Sequence, residues 1–541
     1  MTLTSQIKRF LSGKTATIAI ITLVITVRII QLVFIFNLRS DRCQQVLATQ
    51  NLVSGNGVSL SKVYGNDLSQ SVHVPLTKWP PGYTLILAPI FSLSGNDYII
   101  ACMVLDILFA VILIFTARRI MIQLNVQKHR INLFTLLTGC FLYPFYLKPS
   151  SDAIAITLFL VAISFSLSLV NGKRTSAVLI GGIIVSLLLC GLLKYSYQPL
   201  IFIIPAMFII AGRINKTRRL IKTGILVLSV LGISILSLLL YQKSVSGSAV
   251  YITQPVRGFF PGNLLSAYPF IPAAILTPET TGSYLSQGSI PGTPMYIAFQ
   301  CIHVFAVLML AAGLWIFFRK NKIREIDGRK VFLFLTIGIS AIICGLLALL
   351  SVNVEKEDFG TWTYVQEARY YGLVAVLLQI CFFVYWRSDK VANLKLLKYA
   401  GVLLVILLSA EAIRGIVFAG NRIRNFKKEE YVWQAELRMQ EYFDVIAKQS
   451  SQKYSTSTIV MTGTSDYINN RLSLYSDVPQ LDEISLINDP GSLHTSKSIV
   501  LLVALRKDSM LGFEPFLQSP LKEFAGEFAG FYFYTMYVQP R

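Results

Sequence analysis

The chain has 541 residues, 54% hydrophobic and only 14% charged, with a mean hydropathy of +0.59. A soluble protein carries charge at about one residue in four, so these numbers exclude a soluble enzyme, a disordered chain, a collagen and a secreted disulfide scaffold. The net charge of +21 does not point to nucleic acid, because residues 421–541 hold 13 Lys/Arg against 14 Asp/Glu and the whole excess lies in the apolar part, where basic residues between spans act as topology signals.

Taken in chain order, Lys8, Arg9 and Lys14 precede a first apolar run over 15–36. That run is too long for a signal-peptide core and no small-residue cleavage site follows, so it reads as a retained span. Residues 41–53 predict an amphipathic helix, stopped by Gly55 and Gly57. The segment Thr77-Lys78-Trp79-Pro80-Pro81-Gly82-Tyr83 then forces a turn into the apolar run Thr84–Leu93. Further spans are expected near 97–117, 131–147, 152–170, 176–193, 198–211, 221–241, 296–318, 331–351, 371–386 and 396–419, giving about 11 in all. With the N-terminus inside, the short inner loops carry 24 basic residues, and the outer segments within 1–420 carry ten. The long loops, near 37–96, 242–295 and 352–370, then all face outward.

Residues 421–541 change character. Strands are expected at Thr458–Met461, Ile499–Val503 and Phe531–Val538, with a helix over about Glu429–Ala447. The expected fold is therefore an all-α polytopic membrane protein with a large first extracytoplasmic loop, plus a small C-terminal α/β module. Its domains are residues 1–420, the membrane part, and 421–541, on the extracytoplasmic side. No CxxC spacing occurs among the seven cysteines, and the four histidines are scattered. The residues demand no metal and no other cofactor, although a divalent metal near Asp41 stays open. Asp152, after Ser150-Ser151, is open to two readings: a helix N-cap or a second active-site acid. Glu411 and Arg414, at i and i+3 inside a span, suit mutual pairing.

Three features recur in one order: an acid (Asp41) just past the first span, a helix with Ala48-Thr-Gln-Asn-Leu52 ending near Gly55, and the Lys78-Trp-Pro-Pro-Gly-Tyr83 turn. This pattern resembles the GT-C superfamily of membrane glycosyltransferases, most nearly the protein O-mannosyltransferases and the aminoarabinose transferases of lipid A. Here the helix spacing differs by one residue and Trp79 stands between Lys78 and the prolines. Tyr143–Asp152 resembles the family's outer turn between the third and fourth spans, and Glu367-Ala-Arg369-Tyr370-Tyr371 resembles its Arg-Tyr entry to a late span.

The resemblance implies a hexosyl- or pentosyltransferase in a plasma membrane, such as a bacterial inner membrane. It would take a sugar from a polyprenyl-phosphate donor to a hydroxyl of a glycan, lipid or protein, on the extracytoplasmic face and with inversion. Asp41 would be the base, with Asp152 a second acid. Lys78, Arg369 and Tyr370 would meet the donor phosphate, and Lys148, Lys194 and Arg257 are further cations of the outer segments. Two other readings stay open: a transporter or flippase of lipid-linked sugars, and a non-catalytic relative in envelope assembly.

The charge asymmetry predicts sidedness directly. In a cysteine-free background, a single cysteine at position 260 should react with an impermeant thiol reagent on intact cells, and one at 215 should not. The reverse pattern would invert the topology.

Overall fold

Apolar runs long enough to cross a bilayer close every backbone hydrogen bond internally by becoming helices. The computed structural model describes residues 3–141 apart from 37, 39 and 65, then 150–172, 176–247, 294, 325–350, 372–385, 395–426, 432–463 apart from 457, 478–481, 484–507, and 510–540 apart from 511 and 529. In chain order the elements are α1 (Leu3–Ser12), α2 (Lys14–Ile35), α3 (Ser40–Val53), β1 (Ser59–Tyr64), β2 (Asp67–Pro75), α4 (Gly82–Leu93), α5 (Tyr98–Gln123), α6 (Lys128–Gly139), α7 (Ser151–Asn171), α8 (Ala177–Leu193), α9 (Ile203–Ile214) and α10 (Arg218–Ser246). They continue with α11 (Gly328–Leu350), α12 (Gly372–Tyr385), α13 (Lys395–Arg424), α14 (Val432–Tyr454), β3 (Ile459–Gly463), β4 (Gln480–Leu481), β5 (Ile499–Arg506), α15 (Glu514–Gln518), β6 (Lys522–Phe528) and β7 (Phe531–Val538). Among the described residues, six helical stretches are long and apolar enough to cross a membrane, and α4, α8 and α12 are shorter apolar helices. The expected run at 296–318 lies outside the described residues.

The chain divides into two compact units, Met1–Val33 with Asp106–Lys427, and Phe34–Leu105 with Lys428–Arg541. A single cut near residue 420 therefore does not follow the packing, because the unit that holds the tail also takes in the first long loop. The physical reason is a shared sheet.

In the helical unit, α7 packs on α8 and α9 on α10. Buried Arg28 of α2 donates from Nε to the Gly139 carbonyl (3.1 Å) and from Nη2 to that of Phe141 (2.6 Å). Gln31 Nε2 donates to the Gly415 carbonyl of α13 (3.1 Å). A side chain at Gly415 would put its Cβ 1.8 Å from the Cys140 carbonyl oxygen, so only glycine admits this approach. Glu411 and Arg414 pair at 3.9 Å, as their spacing suggests.

In the second unit seven strands form one sheet in the order β2-β1-β4-β3-β5-β7-β6. β1 and β2 are an antiparallel hairpin from the first long loop. β4 runs parallel to both β1 and β3, β3 parallel to β5, and β7 antiparallel to β5 and β6. All of β5 except Arg506 is buried, which suits its unbroken apolar sequence Ile499–Leu505. One face carries a core of Leu501, Val503, Leu505, Phe516, Tyr534 and Met536. The other takes α14, with Phe443 edge-on to Phe533 at 4.9 Å and Tyr454 stacked on Tyr537 at 4.8 Å.

Asp67 fastens the hairpin to the tail. Its Oδ1 accepts from Ser69 N (3.0 Å), Ser69 Oγ (2.8 Å) and Ser496 N (3.0 Å). Hydrogen bonds from Ser496, then from Ser69, hold this carboxyl well below its ordinary value of 3.8. A carboxyl whose folded value is depressed stabilises above the unfolded value, and that contribution is lost as pH falls through the carboxylate range. Hydrogen exchange over residues 59–75 should therefore be faster in Asp67→Ala than in wild type at neutral pH. The two should converge as the solution is acidified, and equal exchange at neutral pH would refute the role.

Candidate functional site

The loop residues that carry the sequence pattern are held by α3. This helix opens at Ser40 and closes where Gly55 turns to φ +87°, with Asn56 N–H on the Asn51 carbonyl (2.8 Å). The helix expected over 41–53 is present, but it is not amphipathic: Arg42 to Thr49 are buried without a break. The reason is that α3 packs on α4 and on β1, so its polar residues face protein rather than water and must find partners there.

Those partners fix the site. Arg42, 4% exposed, donates from Nε to the Tyr83 hydroxyl (3.0 Å) and from Nη2 to the Cys102 carbonyl (3.2 Å). Its guanidinium lies 5.2 Å from the Phe36 ring centre, close enough for a cation–π contact. Trp79 Nε1 donates to Gln44 Oε1 (3.3 Å), and Thr84 Oγ1 to the Gln45 carbonyl (3.2 Å). The Pro80-Pro81 turn is thereby clamped onto α3, and Pro81 leads into α4 as its N-cap residue. Asp41 sits in the first turn of α3, where the helix dipole favours a negative charge. Asp41 and Lys78 are both half-buried and belong to this one unit.

Asp152 belongs to the other unit. The N-cap position of α7 is Ser150, which makes no side-chain cap bond, and Asp152 lies in the first helical turn. Its carboxylate pairs with the ammonium of Lys194, the residue just past the end of α8. Both side chains are buried, at 4% and 6% exposed. Each charge suits the terminus it occupies, the anion at a helix start and the cation at a helix end. The sequence offers Lys194 only as a further candidate cation for the leaving phosphate, and the register between α7 and α8 that makes it a partner of Asp152 has no local sequence signal. Asp97, by contrast, does what a residue before a span does: its Oδ1 accepts from Ile100 N–H at 2.9 Å. Arg369, Tyr370, Lys148 and Arg257 lie outside the described residues. No group of three or more His, Cys, Asp or Glu side chains suited to a metal occurs among the described residues.

Neither a protein-family model nor a curated protein matches the sequence. Among solved structures the chain is similar to ArnT from Cupriavidus metallidurans bound to undecaprenyl phosphate, with a TM-score of 0.54 at 11% identity, over 97% of this chain and 98% of that one. The apo state of the same protein gives 0.54 and 11%, over 96% and 97%. The likeness runs the length of both chains. The chain thus shares its fold with ArnT, a likeness of the kind the Asp41 pattern and its turn led one to expect, and its several long apolar helices make it a multi-pass membrane protein.

The Asp152–Lys194 pair yields a test of its own. Removing one partner of a buried ion pair strands the other charge, at a cost of ~3–5 kcal/mol. Asp152→Ala or Lys194→Ala should lower the melting temperature of the purified chain markedly, and the double variant Asp152→Leu/Lys194→Met should recover most of the loss. A double variant as unstable as the sum of the two single ones would show that the side chains act separately.

Proposed function

We propose that the chain is an integral membrane glycosyltransferase that moves a sugar from a polyprenyl-phosphate donor to an acceptor hydroxyl. The observation that carries this reading is the fold, similar over the full length of both chains to ArnT, whose structure holds undecaprenyl phosphate. The charge asymmetry of the loops supports a reaction on the extracytoplasmic face, and the membrane in this reading is a plasma membrane such as a bacterial inner membrane.

Asp41 is the base in this reading. Its carboxylate takes the proton of the acceptor hydroxyl as that oxygen bonds to the anomeric carbon. The bond from the anomeric carbon to the phosphate oxygen breaks with its electron pair, polyprenyl phosphate leaves as the anion, and the configuration inverts. Lys78 supplies positive charge for the departing phosphate, and Arg369 with Tyr370 are assigned the same task from sequence alone. Asp152 stands second to Asp41 as a base, because Lys194 already occupies its carboxylate. A hexose or a pentose, and a glycan, lipid or protein acceptor, all fit this scheme.

Asp41→Asn keeps the size of the side chain but accepts no proton, and loss of a general base typically costs about 10²–10⁴-fold in rate. Turnover of the purified variant in nanodiscs, with a polyprenyl-phosphate sugar as donor, should fall by that much while expression and donor binding persist. Turnover near wild type would remove Asp41 from the mechanism.

A further inference from the structure

A second polar site lies in the same unit as Asp41 and has no part in the scheme above. Where the C-terminal half of α3 meets β1, β2 and the start of β4, a cleft of ≈ 240 Å³ opens. Its polar wall includes Gln50, Asn51, Ser61, Ser71, His73 and Gln480, and among the described residues no Lys, Arg, Asp or Glu lines it. We infer that this cleft binds an uncharged saccharide unit.

Wall chemistry sets the class of ligand. A phosphate or a carboxylate calls for cations or a cluster of N–H groups, and a metal ion for carboxylates; the described residues of the wall offer neither Lys or Arg nor Asp or Glu. Amide and hydroxyl side chains both donate and accept, as sugar hydroxyls do. Part of the wall is fixed in advance. Asn51 Nδ2 donates to the Ser59 carbonyl (2.7 Å), and its Oδ1 accepts from Ser61 Oγ at 3.4 Å. Ser61 Oγ lies 3.3 Å from His73 Nδ1. Leu47 and Pro479 add an apolar patch against which the C–H face of a ring can rest.

Two atoms call for a ligand. Gln480 is 1% exposed, and its Oε1 has no hydrogen-bond partner among the described residues. The Oε1 of Gln50 is likewise buried without one. A buried amide oxygen left unpaired is costly, and because both side chains line the cleft, a turn of either amide toward it would let a bound hydroxyl satisfy the oxygen. The volume falls below the ~300–1,000 Å³ of drug-sized pockets, which suits one ring of a glycan rather than a long stretch of it. If the transferase reading holds, this ring belongs to the acceptor, and that assignment rests on the reading while the binding itself does not.

The test uses the full chain in nanodiscs on an array of uncharged hexose and pentose oligosaccharides, beside the same backbones carrying uronate or phosphate. Retention of uncharged glycans is expected. Gln50→Leu, which removes one acceptor from the wall, should weaken it by about tenfold. Ser71→Trp, at an exposed position of β2 on the cleft, should abolish it while hydrogen exchange of β5 and β7 stays as in wild type. The inference is overturned if no uncharged glycan is retained, if the charged ones bind better, or if both variants bind as wild type does. Glycan retention by a chain that transfers no sugar from any polyprenyl-phosphate donor would sink the transferase reading and leave the cleft standing. Transfer without retention would do the opposite.

Discussion

Within a bilayer no water is available to the carbonyls at a helix end, so each must be met by another part of the protein. The helical unit meets this demand with buried cations and amides. Arg28 answers the last carbonyls of α6, and Gln31 reaches across to α13. At the loop side, where water does reach, the exposed Arg329 meets the end of α5 from Nε to the Leu124 carbonyl at 2.8 Å. Arg219 reaches the end of α7, where it donates to the Gly172 carbonyl at 2.6 Å. A positive side chain at a helix C-terminus also complements the dipole. Arg219 and Arg329, which in the sequence count only toward sidedness, thus have a second task. The demand reaches into packing as well, since the Cys140 carbonyl lies against α13 only because Gly415 has no side chain.

What was legible in the sequence follows from how local each cause is. A run such as 152–170 needs nothing beyond its own apolarity to become α7, and β5 and β7 declare themselves by unbroken apolar runs. The turn at Pro80-Pro81 is legible because two prolines restrict the backbone wherever they stand. The hairpin of β1 and β2 had a signal, alternating residues on either side of Gly65-Asn66, but in a loop between spans nothing marks what such a hairpin pairs with. Its partner β4 is two residues long, too short for any pattern. The polar face of α3 was misread because amphipathicity assumes water on one side, and α3 has protein where water was expected.

The candidate site inherits its rigidity from that non-local pairing. α3 lies on the hairpin through Asn51 and Ser59, and on the α4 turn through Gln44, Gln45 and Arg42. Neighbouring positions on a helix point in different directions, so Arg42 anchors α3 in the interior while Asp41 remains half-buried. With Arg42 as the anchor, the neighbouring Asp41 leaves α3 from a fixed origin. The same helix carries Gln50 and Asn51 one turn before its end, so one rigid element serves both the acid and the amide-lined cleft.

The closure of this sheet also sets a clock for synthesis. β1 leaves the ribosome long before β4, with 415 residues, from 65 to 479, between them. At ~5–20 residues per second that gap lasts roughly 20–80 s. Throughout it the inner edge of β1 has no strand beside it, and an open edge invites pairing with other chains. Its sequence is built for the wait: Ser59, Ser61 and Lys62 alternate with the apolar Leu60 and Val63, a polar edge that discourages stray partners until the chain's own late strand arrives.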